Sequence, residues 1–162
     1  MVSQFSVIEN PSLMNIKKAQ LDDVATLFEI EHEISTMGWS IQNFKDALQF
    51  YEVWLISTQD EPADVVGFVI LQTILDELHL LNIVVSLKHQ GQGWGKALLE
   101  YAISQAQKKN CSVIYLELRS SNKVARNLYR QYGFAQTGTR KGYYPCTDGT
   151  REDARLMMLM IS

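Results

Sequence analysis

The sequence predicts one α/β domain of the α+β kind, a mixed central sheet of about seven strands with helices on both faces. Three observations carry this. The chain has 162 residues, enough for one hydrophobic core and short for two. Its apolar residues switch between a spacing of two and a helical spacing in the order β-α-α-β-β-β-α-β-α-β-β, which is neither doubly wound nor a simple meander. No internal repeat, low-complexity tract or linker divides the chain.

Residues 1–13, with Pro11, read as an N-terminal leader, and 14–162 as the domain. Met14 to Ala19 is the first expected strand. Asp22 is placed to cap a helix whose inner face holds Val24, Leu27, Phe28 and Ile34. Ser40 caps a second, shorter helix with Ile41, Phe44 and Leu48 on one side. Three strands follow, Val53 to Ser57, Val65 to Thr73 and Leu78 to Val85, with a turn at Leu75-Asp76-Glu77 between the last two. Trp94 to Gln107 is helical, with Trp94, Ala97, Leu98, Tyr101, Ala102 and Ala106 along one stripe. Val113 to Leu118 is a strand and Lys123 to Tyr132 a helix. Gly133 stands where a helix C′ glycine belongs, with Phe134 ready to pack back. The stretch Ala154 to Ile161 is the final strand.

A net charge of -3 and a pI near 5.6 argue against gripping nucleic acid or an anionic membrane by bulk electrostatics. Cys111 leads into an apolar run and is expected in the core, far in sequence from Cys146. His32, His79 and His89 have no metal-ligand spacing, so no metal is inferred. No apolar run is long enough to span a bilayer, and the first residues lack the pattern of a signal peptide. A reduced, cytoplasmic setting and a monomer are the expectation.

The most informative segment is Asn82-Ile83-Val84-Val85, followed by Gln90-Gly91-Gln92-Gly93-Trp94-Gly95-Lys96. A buried strand feeds a glycine-bearing turn that runs into a helix N-terminus. Glycines let backbone approach a ligand, and a first helical turn offers unpaired N–H donors at the positive end of its dipole. An anion such as a pyrophosphate would fit there, although such a turn can also simply reverse the chain. Two other phosphate loops are excluded. G-x-x-x-x-G-K-[ST] fails because Ala97 follows Lys96, and G-x-G-x-x-G fails because Gly95 comes one position too early.

On the strand Val113 to Leu118, alternation puts Val113, Tyr115 and Glu117 on one face. A carboxylate buried in such an apolar run is expected to have its pKa raised toward neutrality, where a general base is useful. A strand-end Glu reaching solvent or pairing with Arg119 is the other reading. Ser121 or Asn122 can cap the next helix, whose core stripe is expected at Val124, Ala125, Leu128 and Tyr132. Tyr129 lies off that stripe, as a half-buried aromatic or as a phenol at a cleft edge able to protonate a leaving thiolate.

Gln90, Gly93 and Gly95 match Q/R-x-x-G-x-G/A, and in their strand-loop-helix context they resemble the acetyl-CoA signature of the GNAT superfamily of N-acetyltransferases. The run Leu116 to Asn122, with Leu128-Tyr129-Arg130-Gln131-Tyr132-Gly133-Phe134, is similar to the RimI branch. So is the end segment Arg140 to Pro145 with Gly149 to Ala154. That branch acetylates the N-terminal alanine of small-subunit ribosomal protein eighteen. The resemblance covers nearly all of the chain from Met14 onward. It implies the GNAT fold and acetyl-CoA as co-substrate. Ile83, Val84 and Val85 would face the pantetheine and thioester, Gln90, Gly91, Gln92, Gly93, Trp94, Gly95 and Lys96 the pyrophosphate, with Asn122 a further cofactor contact. It implies Glu117 as general base, Tyr129 as general acid, and Trp39, Tyr143 and Tyr144 as readers of a peptide N-terminus. Two positions depart from the branch. Gly38 replaces a proline before Trp39-Ser40, and Gly142 an asparagine or arginine beside the tyrosine pair.

The chemistry expected is direct acyl transfer without a covalent enzyme intermediate, because no Cys-His or Ser-His arrangement has the context of an activated nucleophile. The implied partner is the N-terminus of a ribosomal protein. The alternatives are a GNAT acting on a lysine side chain or a small amine, and a catalytically idle CoA-binding module.

Overall fold

The computed structural model describes residues 14–162, so the expectation of a leader over 1–13 lies outside the described residues. Strand β1 (Met14–Lys18) leads to helices α1 (Val24–Ile34) and α2 (Ile41–Phe50). Strands β2 (Glu52–Thr58), β3 (Val65–Ile74) and β4 (Glu77–Val85) come next. Helix α3 (Trp94–Lys108), strand β5 (Val113–Arg119), helix α4 (Lys123–Gln131) and the hairpin β6 (Ala135–Pro145) and β7 (Arg151–Met160) complete the order. All seven strands form one sheet in the order β1-β2-β3-β4-β5-β7-β6. Every neighbouring pair is antiparallel except β4 and β5. The mixed sheet expected from the sequence is therefore the fold observed.

Each face of the sheet buries its own apolar cluster. On one face Leu27 of α1 and Phe44 and Ala47 of α2 pack on Leu55, Phe68 and Ile70. Phe44 meets Phe68 edge-on, with ring centroids 5.5 Å apart. Truncating such a fully buried aromatic costs about 3–5 kcal/mol. On the other face Leu98, Leu99, Ala102 and Ala106 of α3 cover Ile114, Leu116 and Met157, and Cys111 is in this cluster as expected. Ser40 caps α2 through its Oγ, which accepts the Asn43 N–H at 3.1 Å. Helix α4 ends in a closed C-terminal motif, with Phe134 N–H bonded to the Tyr129 carbonyl and Gly133 N–H to that of Arg130.

Five local expectations need correction. Asp22 is not the cap of the first helix. A 3-10 turn over Leu21–Asp23 precedes it, and Asp23 accepts the Gln20 N–H at 2.7 Å. Ile34 and Ile41 are exposed rather than inward, because the buried stripe of α1 is Val24, Leu27, Ile30 and Glu31 and that of α2 is Phe44 and Ala47. Val124 is exposed, and Tyr129 is the fully buried side chain of α4. On a helix of nine residues a shift of one position rotates the core face by about 100°, so a short stripe is easily misplaced.

Candidate active site

The site begins where β4 and β5 part. Their parallel ladder runs from Glu77↔Val113 to Leu80↔Leu116 and stops there. On its other side β4 stays paired with β3 as far as Val85, with Leu71↔Leu80 followed directly by Ile70↔Asn82. Leu81 is thus an extra residue, a bulge that bends β4 away from β5. Beyond it, among the described residues, the β5-facing edge of Ile83, Val84 and Val85 carries backbone groups without a strand partner. An amide-bearing chain such as pantetheine can complete that edge as an added strand would.

The glycine loop lies at the end of the same edge. Gly91 and Gly93 have φ of +74° and +90°, the left-handed region that side chains resist. Gly93 is the N-cap of α3, so the turn delivers the chain into a 15-residue helix whose N-terminal end carries the positive side of the helix dipole, which favours an anion. A Cβ on Gly91 would meet nothing within 4 Å. Gln90 Nε2 donates to the Val85 carbonyl at 3.1 Å and ties the loop to β4. The residues present therefore fit a pyrophosphate followed by an extended pantetheine. Upstream, Ser86 Oγ lies 2.8 Å from His89 Nδ1, and His89 Nε2 lies 3.5 Å from Asp64. The same residues are also tied by backbone bonds, Ser86 N–H donating to the Val66 carbonyl and His89 N–H to the Ser86 carbonyl. The cluster braces the loop.

An open cleft of about 680 Å³ lies beside the strand divergence, lined by Trp39, Tyr51, Leu81, Glu117, Tyr143 and Tyr144 among others. Four residues singled out in the sequence thus converge from three places: the α1–α2 connection, β5 and the β6–β7 hairpin. Gln90 to Lys96, Asn122 and Tyr129 are not among its lining residues. The cleft also exposes groups that sequence reasoning passed over, namely Tyr51, Glu77, His79, Tyr115 and Arg140. Tyr115 shares the Glu117 face of β5 by alternation, although the sequence assigns it no role, and Glu77 and His79 follow from the register with β5.

Of the two readings of Glu117, the strand-end residue reaching solvent is the one observed. It is exposed along β5 and pairs with Arg140 Nε at 2.9 Å, not with Arg119. The premise of an apolar burial fails because the strand leaves the core where β4 diverges, so its outward face opens onto the cleft. Arg119 is committed elsewhere. It donates to Glu152 Oε1 at 2.9 Å and to the Pro145 carbonyl at 3.2 Å, and its guanidinium sits 4.7 Å from the Tyr144 ring. Arg140 stacks on Tyr143 in the same manner at 5.5 Å. The tyrosines, 5.0 Å apart and edge-on, are each fixed by a cation-π contact. Burial first, then the charge of Glu117, pushes the Tyr144 phenol up to about 12.

Tyr129 is 4% exposed and packs on Phe134 at 5.6 Å. Burial, reinforced by Tyr144, raises its phenol well above the ordinary value, so it holds its proton. Asn122 caps α4, its Oδ1 accepting the Ala125 N–H at 3.1 Å. Gly142 sits at φ +57° where the β6 register shifts, a conformation that glycine and asparagine share most readily. Its N–H donates to Asp153 at 2.9 Å.

Residues 23–134 match the acetyltransferase (GNAT) family pattern. The [ribosomal protein bS18]-alanine N-acetyltransferase of Haemophilus ducreyi is 39% identical over 86% of this chain and 94% of its own. The protein of that name from Escherichia coli K12 is 37% identical over 91% of this chain and 97% of its own. The crystal structure of the ribosomal-protein-S18-alanine N-acetyltransferase from Escherichia coli superimposes with a TM-score of 0.84 at 35% identity, covering 93% of this chain and 95% of that one. The chain belongs to the acetyltransferase (GNAT) family.

Proposed function

We propose that this chain acetylates the α-amine of the N-terminal alanine of small-subunit ribosomal protein eighteen, in the cytoplasm, with acetyl-CoA as acyl donor. The convergence of Trp39, Glu117, Tyr143 and Tyr144 on one cleft beside the open edge of β4 carries this reading. Relatives that share more than a third of its residues over most of their length bear the name of that activity, which supports the same substrate.

Acetyl-CoA supplies an acyl group already activated as a thioester. The chain's part is to hold an amine against it and to manage two protons. The α-ammonium has an unperturbed pKa of about 7.7–8.0, so at neutral pH most of it is still protonated and only a small driving force is needed to free the amine. Glu117, held by Arg140 and open to the cleft, takes the remaining proton directly or through water. A backbone N–H at Val84 or Val85 faces the carbonyl oxygen as charge develops on it. Tyr129, kept protonated by burial, is the donor to the departing thiolate. Gly91 to Lys96 hold the pyrophosphate, and Asn122 adds a contact at the start of α4. Trp39, Tyr143 and Tyr144 bracket the peptide behind its amine.

The test is a pair of peptides at matched concentration. One has a free N-terminal alanine followed by an arginine and an aromatic residue. The other has the same sequence with a blocked terminus and an internal lysine. Mass spectrometry should find rapid acetylation of the first and far slower reaction of the second, because a reader of chain ends fixes where the backbone beyond the amine lies. Equal reaction of the lysine peptide, or of a polyamine, removes the N-terminal reading and leaves an acetyltransferase of other substrate.

A further inference from the structure

Glu31 is a buried carboxylate that the chemistry above leaves unused. It sits on α1, 7% exposed, and both oxygens are engaged. Oε1 accepts the backbone N–H of Trp39 at 3.3 Å and Oε2 accepts Asn82 Nδ2 at 3.1 Å. These donors belong to different walls of the site. Trp39 lines the cleft from the α1–α2 connection, while Asn82 directly follows the Leu81 bulge, and Leu81 lines the cleft itself. Gly38 completes the arrangement. A Cβ there would lie 2.3 Å from Glu31 Oε1 and 2.8 Å from its Cγ, so the loop lies on the carboxylate at a distance that only glycine permits.

Burial works against an ionised Glu31 and holds its carboxyl above the ordinary range, with the bonds from Asn82 and Trp39 offsetting part of this. An apolar residue would fill the space at lower cost. What an apolar residue cannot do is accept two N–H donors arriving from two elements. We propose that Glu31 is a positioning residue, a two-oxygen acceptor that pins the Trp39 segment to the bulge of β4 and so sets the peptide end of the cleft. Its effect on peptide binding rests on the proposed α-amine activity. The pinning itself does not.

The geometry defines a reciprocal test. Glutamine at 31 keeps the shape but has one oxygen and one donor nitrogen, so in either orientation an N–H faces Trp39 or Asn82. Changing Asn82 to Asp turns the second partner into an acceptor and restores the complement. We therefore expect Glu31→Gln to raise the peptide KM at least fivefold, with CoA affinity changed less than twofold. Glu31→Gln/Asn82→Asp should recover most of that loss, and Gly38→Ala, which pushes the carboxylate aside, should resemble the single Glu31 variant. Hydrogen exchange of residues 35–40 gives a reading independent of activity. The Trp39 amide should exchange at least tenfold faster in Glu31→Gln than in the unaltered protein, and slow again in the double variant. An unchanged KM in a folded Glu31→Gln protein, or equal exchange in all forms, overturns the proposal. If the unaltered protein does not acetylate the alanine peptide, the substrate reading fails and the exchange data alone decide the pinning. If Glu31→Gln does not fold, Gly38→Ala and its exchange rates carry the decision.

Discussion

Replacing Gly95 by alanine separates what the glycine loop does for the fold from what it does for the cofactor. Gly95 lies in the first turn of α3, outside the left-handed region, and an added Cβ would meet only Val85 Cγ2 at 3.8 Å and Leu128 Cδ2 at 4.0 Å. These are ordinary contacts, so the fold has nothing to lose. Alanine in a helix is instead favoured over glycine by up to about 1 kcal/mol, and Tm should stay level or rise by up to about 4 °C. Gly93 differs, because its φ of +90° makes any side chain cost about 1–2 kcal/mol before a ligand is considered. If Gly91 to Lys96 wrap the pyrophosphate, the methyl of Gly95→Ala stands between backbone N–H groups and phosphate oxygens. We expect CoA affinity to fall at least tenfold, or about 1.4 kcal/mol, in a protein no less stable than the original. Calorimetric titration with CoA, beside a thermal unfolding curve, measures both. An affinity within twofold of the unaltered protein, at unchanged Tm, would refute the cradle and send the pyrophosphate elsewhere.

Three further outcomes follow from the same geometry. Glu117→Gln should slow the reaction most at acidic and neutral pH, where the amine is still an ammonium, and recover part of the rate at high pH; a defect equally deep at every pH would make Glu117 a positioning group. Because its pair with Arg140 is partly exposed, the same variant should cost less than about 1 kcal/mol in stability. Tyr129→Phe should reduce kcat with little change in peptide KM, since its proton is delivered only as the thiolate leaves; a change confined to KM would remove the acid role. A chain that starts at Met14, the first residue of the edge strand β1, should keep kcat/KM within a few-fold and stability within about 2 kcal/mol, as measured by steady-state rates and denaturant unfolding.

The sequence by itself determined the order and kind of the elements, because a period of two or of 3.6 is a local property that any run of eight or more residues displays. It determined the helix start at Ser40 and the stop at Gly133, and narrowed the start of α4 to Ser121 or Asn122, for the same reason, since caps bond within three or four residues of themselves. The glycine loop was legible because its left-handed backbone at Gly91 and Gly93 favours glycine, which a glycine spacing records directly. Only the tertiary structure decided the rest. The exposure of Glu117 depends on β4 leaving β5 at Leu80, an event produced by a bulge at Leu81 that no residue type announces. The partner of Glu117 is Arg140, 23 positions away, and that of Glu31 is Asn82, 51 positions away. Glu117 and Arg140 meet through the register of β5, β7 and β6, and Glu31 and Asn82 through the packing of α1 on the sheet, and both are fixed by the assembled fold rather than by any one segment. Gly38 makes the same point in small. In the sequence it is a glycine where the related branch has proline, and in the fold it is the space that lets a buried carboxylate reach the backbone of Trp39.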